Sequence, residues 1–193
     1  YSSRRQRQMC IRDRTYPDIT NDPNRHFNLM TGNALSLPFK DETFDQIICS
    51  EVLEHIPNYE KVIDEIHRVA KKNSYIGISV PNRIPEKICW YLSDEYHNEP
   101  GGHIHIFEKK QLINSFKNNN FFYLSKSYKH GLHSPYWWLK CYVGVKNEKN
   151  LLVNLYKKFL EWDILKRPIL TRVLEKFFDP IMGKSIVLYF KKK

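Results

Sequence analysis

Phe44-Asp45-Gln46-Ile47-Ile48-Cys49-Ser50 passes without a turn into Glu51-Val52-Leu53-Glu54-His55-Ile56, and Pro57 then breaks the chain. The first seven residues are β-prone and continuously apolar at their centre, which predicts a buried strand. The next six predict a short helix ended by the proline. Downstream, Asn58 is placed to cap a second helix in which Val62, Ile63, Ile66 and Val69 recur at helical spacing. Glu60, Lys61, Asp64, Arg68 and Lys71 fall on its wet face. Residues 75–80 follow as an apolar strand with little alternation, the pattern of a parallel strand covered on both faces, and Pro81 and Asn82 stop it. Upstream, residues 27–34 read as an extended run ending in Thr31-Gly32-Asn33-Ala34, followed by a turn-rich stretch over 37–42.

Strand, helix, strand, helix, strand over residues 27–80 is the order of right-handed crossover units, so the fold class is α/β. In such sheets ligands bind beyond the carboxyl ends of the strands. Those ends are Asn33, Ser50 and Val80-Pro81-Asn82, and the three should converge on one crevice. Further along, the sequence predicts a loop at Pro100-Gly101-Gly102-His103-Ile104-His105-Ile106-Phe107, a short helix over 109–117 and a strand over 121–127. Two helical stretches are expected within 131–180, and a closing strand over 186–190. In the clearer helical stretch Leu151, Leu152, Leu155, Tyr156, Phe159 and Leu160 form one apolar face.

The chain has 193 residues, 41% of them hydrophobic, enough for one domain with a core. No stretch approaches the roughly 20 apolar residues of a membrane span, and no secretory leader is visible, so a cytoplasmic location is expected. Cys10, Cys49, Cys89 and Cys141 lie far apart and read as isolated thiols in a reducing compartment. The net charge is +10, of which five arginines and one aspartate in residues 1–14 supply +4. That opening, YSSRRQRQMCIRDR, has no apolar period and resembles translated adapter read-through, so it is set aside as non-native. Scattered lysines account for the rest, which makes RNA a less favoured partner than a small molecule.

Gly32-Asn33-Ala34 followed by Leu37-Pro38-Phe39, then Phe44-Asp45 opening a strand that ends Ser50-Glu51-Val52-Leu53-Glu54-His55, resembles the middle of the class I S-adenosylmethionine-dependent methyltransferases. The helix with Ile66-His67-Arg68-Val69 and the strand 76–80 extend the likeness. It implies a Rossmann-like sheet, mostly parallel with the last strand antiparallel, lacking its first strands and helices. Residues 15–130 would form the partial core, 131–180 a helical insertion or acceptor cap, and 181–193 the final strand. The resemblance implies S-adenosylmethionine as cofactor, bound by Asn33 and Ala34 at the adenine end and by Ser50 and Glu51 at the methionine end. Asn33 would also suit a turn, and Ser50 a helix cap. The family's Gly-x-Gly-x-Gly loop has no counterpart, so the chain is expected to bind the cofactor weakly and to be inactive as it stands.

Glu51, Glu54 and His55 stand at i, i+3 and i+4 and would converge on one side of a helical turn. This motif resembles that of ubiquinone-pathway O-methyltransferases and small-RNA 2′-O-methyltransferases, where it holds a divalent cation. The likeness implies Mg2+ on Glu51, Glu54, His55 and His105, with His103 as the alternative to His105. Without metal, His55 would be a general base on an acceptor hydroxyl, oriented by Glu54 or Glu51. A plain helix start, acids complementing the dipole, is the third reading. His67 reads as structural and Cys49 as packing. His133-Ser134-Pro135-Tyr136-Trp137-Trp138 could be ordinary core. As an acceptor cap it would meet sugars or acyl chains, and residues 133–146, with Lys140 and Lys146, would touch a membrane surface peripherally. Methylation of an oxygen on a small molecule, sugar or lipid is the leading expectation, against an RNA-directed 2′-O-methyltransferase or a noncatalytic scaffold.

Overall fold

The computed structural model describes residues 30–147 and 149–193. The opening segment 1–14 and the first part of the expected strand at 27–34 lie outside them. Among the described residues the elements are β1 (Phe44–Ser50), a 3-10 turn (Leu53–His55), α1 (Tyr59–Val69), β2 (Ala70–Pro81), α2 (Arg83–Leu92), α3 (Asp94–His97) and α4 (Lys109–Asn118). Then come β3 (Phe121–Lys129), α5 (His133–Val143), α6 (Leu151–Lys166), α7 (Ile169–Met182) and β4 (Ser185–Lys192). The described end of the 27–34 run makes only an isolated bridge from Asn33 to Ser36.

The sheet order is β1-β2-β4-β3, with β1 parallel to β2 and β4 antiparallel to both β2 and β3. Three strands therefore run one way and the last runs against them, as expected of the α/β class. Ile76, Ile78 and Val80 of β2 and Ile186, Leu188 and Phe190 of β4 all face one side. Against that side pack Val62, Ile63 and Ile66 of α1 and Leu112 and Phe116 of α4. Each such side chain, fully buried, is worth roughly 1.5–3 kcal/mol, so this layer is the main source of stability. The Phe116 and Phe190 rings stack at 4.4 Å across it. Lys192 closes the C-terminal end of α1 by donating from Nζ to the carbonyls of His67 and Ala70. Arg68 ties the preceding loop down through the carbonyls of Leu37 and Phe39 and the carboxylates of Asp41 and Glu65.

The opposite face of the sheet departs from the both-faces-covered expectation. Ile48 is 83% exposed, and Tyr75, Phe122, Leu124 and Tyr189 are exposed too. No helix among the described residues packs over Ile48. Asn58 stands at the start of α1 but makes no side-chain cap, its φ and ψ lying away from the extended geometry a cap requires.

Residues 131–180 form three helices rather than two. In α6 only part of the expected apolar face is covered: Leu160 is buried and Tyr156 and Phe159 are half-buried, whereas Leu151, Leu152 and Leu155 are exposed and Val153 and Asp163 are buried instead. The reason is that α6 packs on α5 along the line of Val153, Tyr156, Leu160 and Asp163, with the Tyr156 hydroxyl donating to the Leu132 carbonyl. Helix α5 itself packs on α2, where Trp138 Nε1 donates to the Pro85 carbonyl. Cys49, Cys89 and Cys141 are free thiols, as expected, and the α2–α5 packing sets Cys89 and Cys141 near one another. No helix among the described residues is long and apolar enough to cross a membrane.

Candidate functional site

The carboxyl ends of β1, β2 and β3 and the start of β4 lie at one end of the sheet, and a cavity of about 940 Å³ opens there. Its floor is Ile48, Gly77 and Tyr189, and one wall is Ser50, Glu51 and Ser79. The other walls come from the 99–103 loop, from α5 through His133, Trp137 and Lys140, and from Lys184. The volume lies at the upper end of ordinary ligand sites, enough for a nucleoside cofactor beside an acceptor.

Glu51 sets the first wall. Its φ of 53° is left-handed, uncommon for a side-chain-bearing residue and a form of strain that collects at functional sites. Its backbone N–H donates to the Ser79 carbonyl, and its Oε1 accepts from the Ser79 hydroxyl at 2.7 Å. With that proton committed, Ser50 donates to Ser79 Oγ at 2.8 Å, giving a chain Ser50 to Ser79 to Glu51 along the strand ends. Ser50 does not cap a helix. The left-handed residue also breaks the helical phase, so the 3-10 turn begins only at Leu53. Glu51 consequently does not share a face with Glu54 and His55 as a continuous helix would require.

Two histidines form the second wall. His55 Nδ1 lies 3.1 and 3.0 Å from the Gly101 and Gly102 carbonyls, which can only accept, so Nδ1 carries the proton and Nε2 keeps a lone pair. Burial lowers the His55 pKa, so the ring is neutral near pH 7. His103 Nδ1 donates to Glu86 Oε1 at 2.5 Å, which likewise frees its Nε2. The two rings meet edge-on at 4.9 Å. Glu54 lies behind them, fully buried, its Oε1 3.6 Å from His55 Nε2, and neither carboxyl oxygen has a hydrogen-bond partner among the described residues. Burial, with the nearby Glu51 charge, pushes its pKa up to about 8.

Glu54, His55 and His103 each bring a ligand atom within 4.8 Å of the others. Glu51 and His105 are not in that group: Glu51 serves Ser79, and His105 Nε2 donates to the Ile56 carbonyl while its ring packs on Tyr59. Two imidazoles and one carboxylate suit a borderline ion such as Zn2+. Mg2+, which takes an octahedron of oxygens, does not fit them.

Beneath this wall Glu86, also fully buried, accepts from His103, from Lys184 Nζ at 2.5 Å and from the Tyr96 hydroxyl at 3.4 Å. Its partners hold its pKa down at about 2 despite the burial. Lys184 also lies over the Tyr96 and Trp137 rings. Sequence reasoning missed Glu86, Lys184, Tyr96 and Ser79. The acid and the lysine are 98 positions apart, and only the return of β4 to the strand ends brings them together.

Asn33 and Ala34 do not line the cavity. Asn33 is exposed, and its Oδ1 accepts from the Leu35 N–H in a turn, while Ala34 packs on the core. His67 packs edge-on against Phe121, and burial pushes the Cys49 thiol up to about 12, as a packing role requires. Burial also holds His133 at about 4.

A family model described as a methyltransferase domain matches residues 3–126, which is more than half the chain. The chain belongs to the methyltransferase-domain family. The methyltransferase domain is 34% identical over 110 residues to an uncharacterised protein of Methanocaldococcus jannaschii, covering 55% of this chain and 44% of that one. It is 42% identical over 52 residues to a demethylmenaquinone methyltransferase of Alkalihalophilus pseudofirmus, covering 27% of this chain and 22% of the relative. The matches thus span less than half the length of these curated relatives. Among solved structures, a putative sarcosine dimethylglycine methyltransferase from Galdieria sulphuraria superposes with a TM-score of 0.56 at 18% identity, covering 96% of this chain and 66% of that one. A putative methyltransferase from Bacillus halodurans gives 0.55 at 15% identity, covering 92% and 76%. At these identities the likeness is one of fold, and the fold is that of the methyltransferase domain.

Proposed function

We propose that the protein transfers the methyl group of S-adenosylmethionine to an oxygen of a small molecule, sugar or lipid acceptor, with His55 as the general base. The observation that carries this is the fixed tautomer of His55, a residue that lines the cavity: Nδ1–H is taken by the Gly101 and Gly102 carbonyls, which leaves a neutral lone pair on Nε2. Family membership and the strand-end cavity support the cofactor. The sulfonium supplies an already activated methyl, so the chain need provide no nucleophile. Ser50, Ser79 and Glu51 present a polar edge to the amino-acid end of the cofactor. His55 accepts the hydroxyl proton at Nε2 as the oxygen is methylated, and Glu54, 3.6 Å from that nitrogen, balances the imidazolium only once its own carboxyl ionises. Trp137 and Tyr96 offer ring faces to the acceptor, so the aromatic segment of α5 acts toward the cavity as an acceptor cap.

The test is transfer of labelled methyl from S-adenosylmethionine across a panel of hydroxylated acceptors, by the protein expressed with any upstream segment its gene encodes. His55→Gln is expected to lower turnover about 100-fold, the low end of what a positioned base contributes. Affinity for S-adenosylhomocysteine should stay unchanged. Undiminished turnover in His55→Gln would refute the base.

A further inference from the structure

Where β3 leaves the sheet the chain turns at His130, whose φ of 64° is left-handed, and enters α5 at His133. This turn is seated on α7. The Gly131 N–H donates to Asp179 Oδ1 at 2.7 Å, and a Cβ at Gly131 would come within 2.8 Å of the backbone of Phe178 and Asp179. Glu175 lies one helical turn before Asp179. The seating therefore carries Glu175 up to both imidazoles, and one ligand atom from each of His130, His133 and Glu175 lies within 4.8 Å of the other two. The two rings are tilted at 41° with centroids 5.0 Å apart, so they are not stacked on one another. None of the three side chains has a hydrogen-bond or ion-pair partner among the described residues, although His133 and Glu175 are half-buried. Asp163 and Asp179 add negative charge around Glu175, against Lys129 and His130.

The geometry points to a divalent transition-metal site made by His130, His133 and Glu175. Two imidazoles and one carboxylate select a borderline ion of the Zn2+ or Co2+ kind over Mg2+ or Ca2+. The ligands come from the β3–α5 turn, the first turn of α5 and the middle of α7, so a bound ion staples the helical segment to the sheet. Three protein ligands leave a position open for water or an acceptor oxygen. Since His130 and His133 line the cavity, that position would face it.

Titration of the full chain with Co2+, followed by its visible absorption, tests this in the wild type and in His130→Ala, Glu175→Gln and His103→Ala. The expected result is a site whose affinity falls by more than about 100-fold in His130→Ala and in Glu175→Gln, exceeding what loss of an outer-shell partner costs. His103→Ala should retain it. His130 is exposed, and Glu175→Gln preserves shape, so circular dichroism of both should match the wild type. Absence of cobalt absorption in the wild type, affinity unchanged in His130→Ala and Glu175→Gln, or absorption lost only in His103→Ala would each overturn the assignment.

Discussion

Glu86→Ala is expected to destabilise the protein by about 3–5 kcal/mol, read as a shift of the urea midpoint at constant slope. The alanine would strand Lys184, whose side chain is only 13% exposed and whose ammonium group has Glu86 as its charge partner. His103 would lose the acceptor of its Nδ1 proton, and the Tyr96 hydroxyl its partner. Breaking a buried pair from one side is what costs this much. Removing both charges together, as in Glu86→Gln with Lys184→Met, should recover most of the loss. The pH dependence has a definite sign. The Glu86 carboxyl titrates near 4.5 when unfolded and is held at about 2 when folded, so the folded state binds fewer protons between those values. Its contribution is complete above pH 4.5 and is lost as the pH falls toward 2. A wild type no more acid-sensitive than Glu86→Ala would contradict this account.

Glu54→Gln should do the opposite and stabilise the metal-free protein by about 5 kcal/mol above pH 8. The carboxyl has no hydrogen-bond partner among the described residues and titrates at about 8 instead of 4.5. Below pH 4.5 both folded and unfolded states hold the proton, and there is no penalty. As the pH rises from 4.5 to 8 the unfolded chain releases its proton and the folded chain does not, so stability falls across that window and the full penalty remains above it. The amide cannot ionise, so the variant escapes the loss, and its advantage should disappear at pH 4.5. Equal stability of the two proteins at pH 8 would refute the buried, unpaired carboxyl. A gain accompanied by loss of turnover would mark Glu54 as a residue kept for function at a cost in stability.

The contrast between these two buried acids shows where sequence reading stops. The parallel β1–α1–β2 unit was legible because its signals are local: a β-prone run at 44–50, helical spacing of Val62, Ile63, Ile66 and Val69, and prolines at 57 and 81. The antiparallel final strand, and the cofactor role given to Ser50 and Glu51 at the strand end, came from the family resemblance, which fixes strand order in a way that periodicity does not. Helical spacing grouped Glu51 with Glu54 and His55, but the left-handed backbone at Glu51 sends its carboxylate to Ser79 instead. His103 takes the place expected of His105, because His105 Nε2 is committed to the Ile56 carbonyl. Nothing near Glu86 in sequence announces Lys184, since a buried ion pair between α2 and the entry to β4 leaves no periodic trace. In α6 the apolar stripe was half right: packing on α5 covers Tyr156 and Leu160 of it but leaves Leu151, Leu152 and Leu155 exposed, because apolar residues extend beyond the contact line.

In the proposed function, the end of the sheet bounded by Ser50, Glu51 and Ser79 holds the methyl-donor cofactor. Calorimetric titration of S-adenosylhomocysteine into the protein, expressed with any upstream segment its gene encodes, tests this most directly. One bound equivalent is expected, with affinity reduced at least about tenfold by Glu51→Ala, as loss of a hydrogen bond to a charged group implies. Absence of binding by the folded protein, or affinity undiminished in Glu51→Ala, would contradict it.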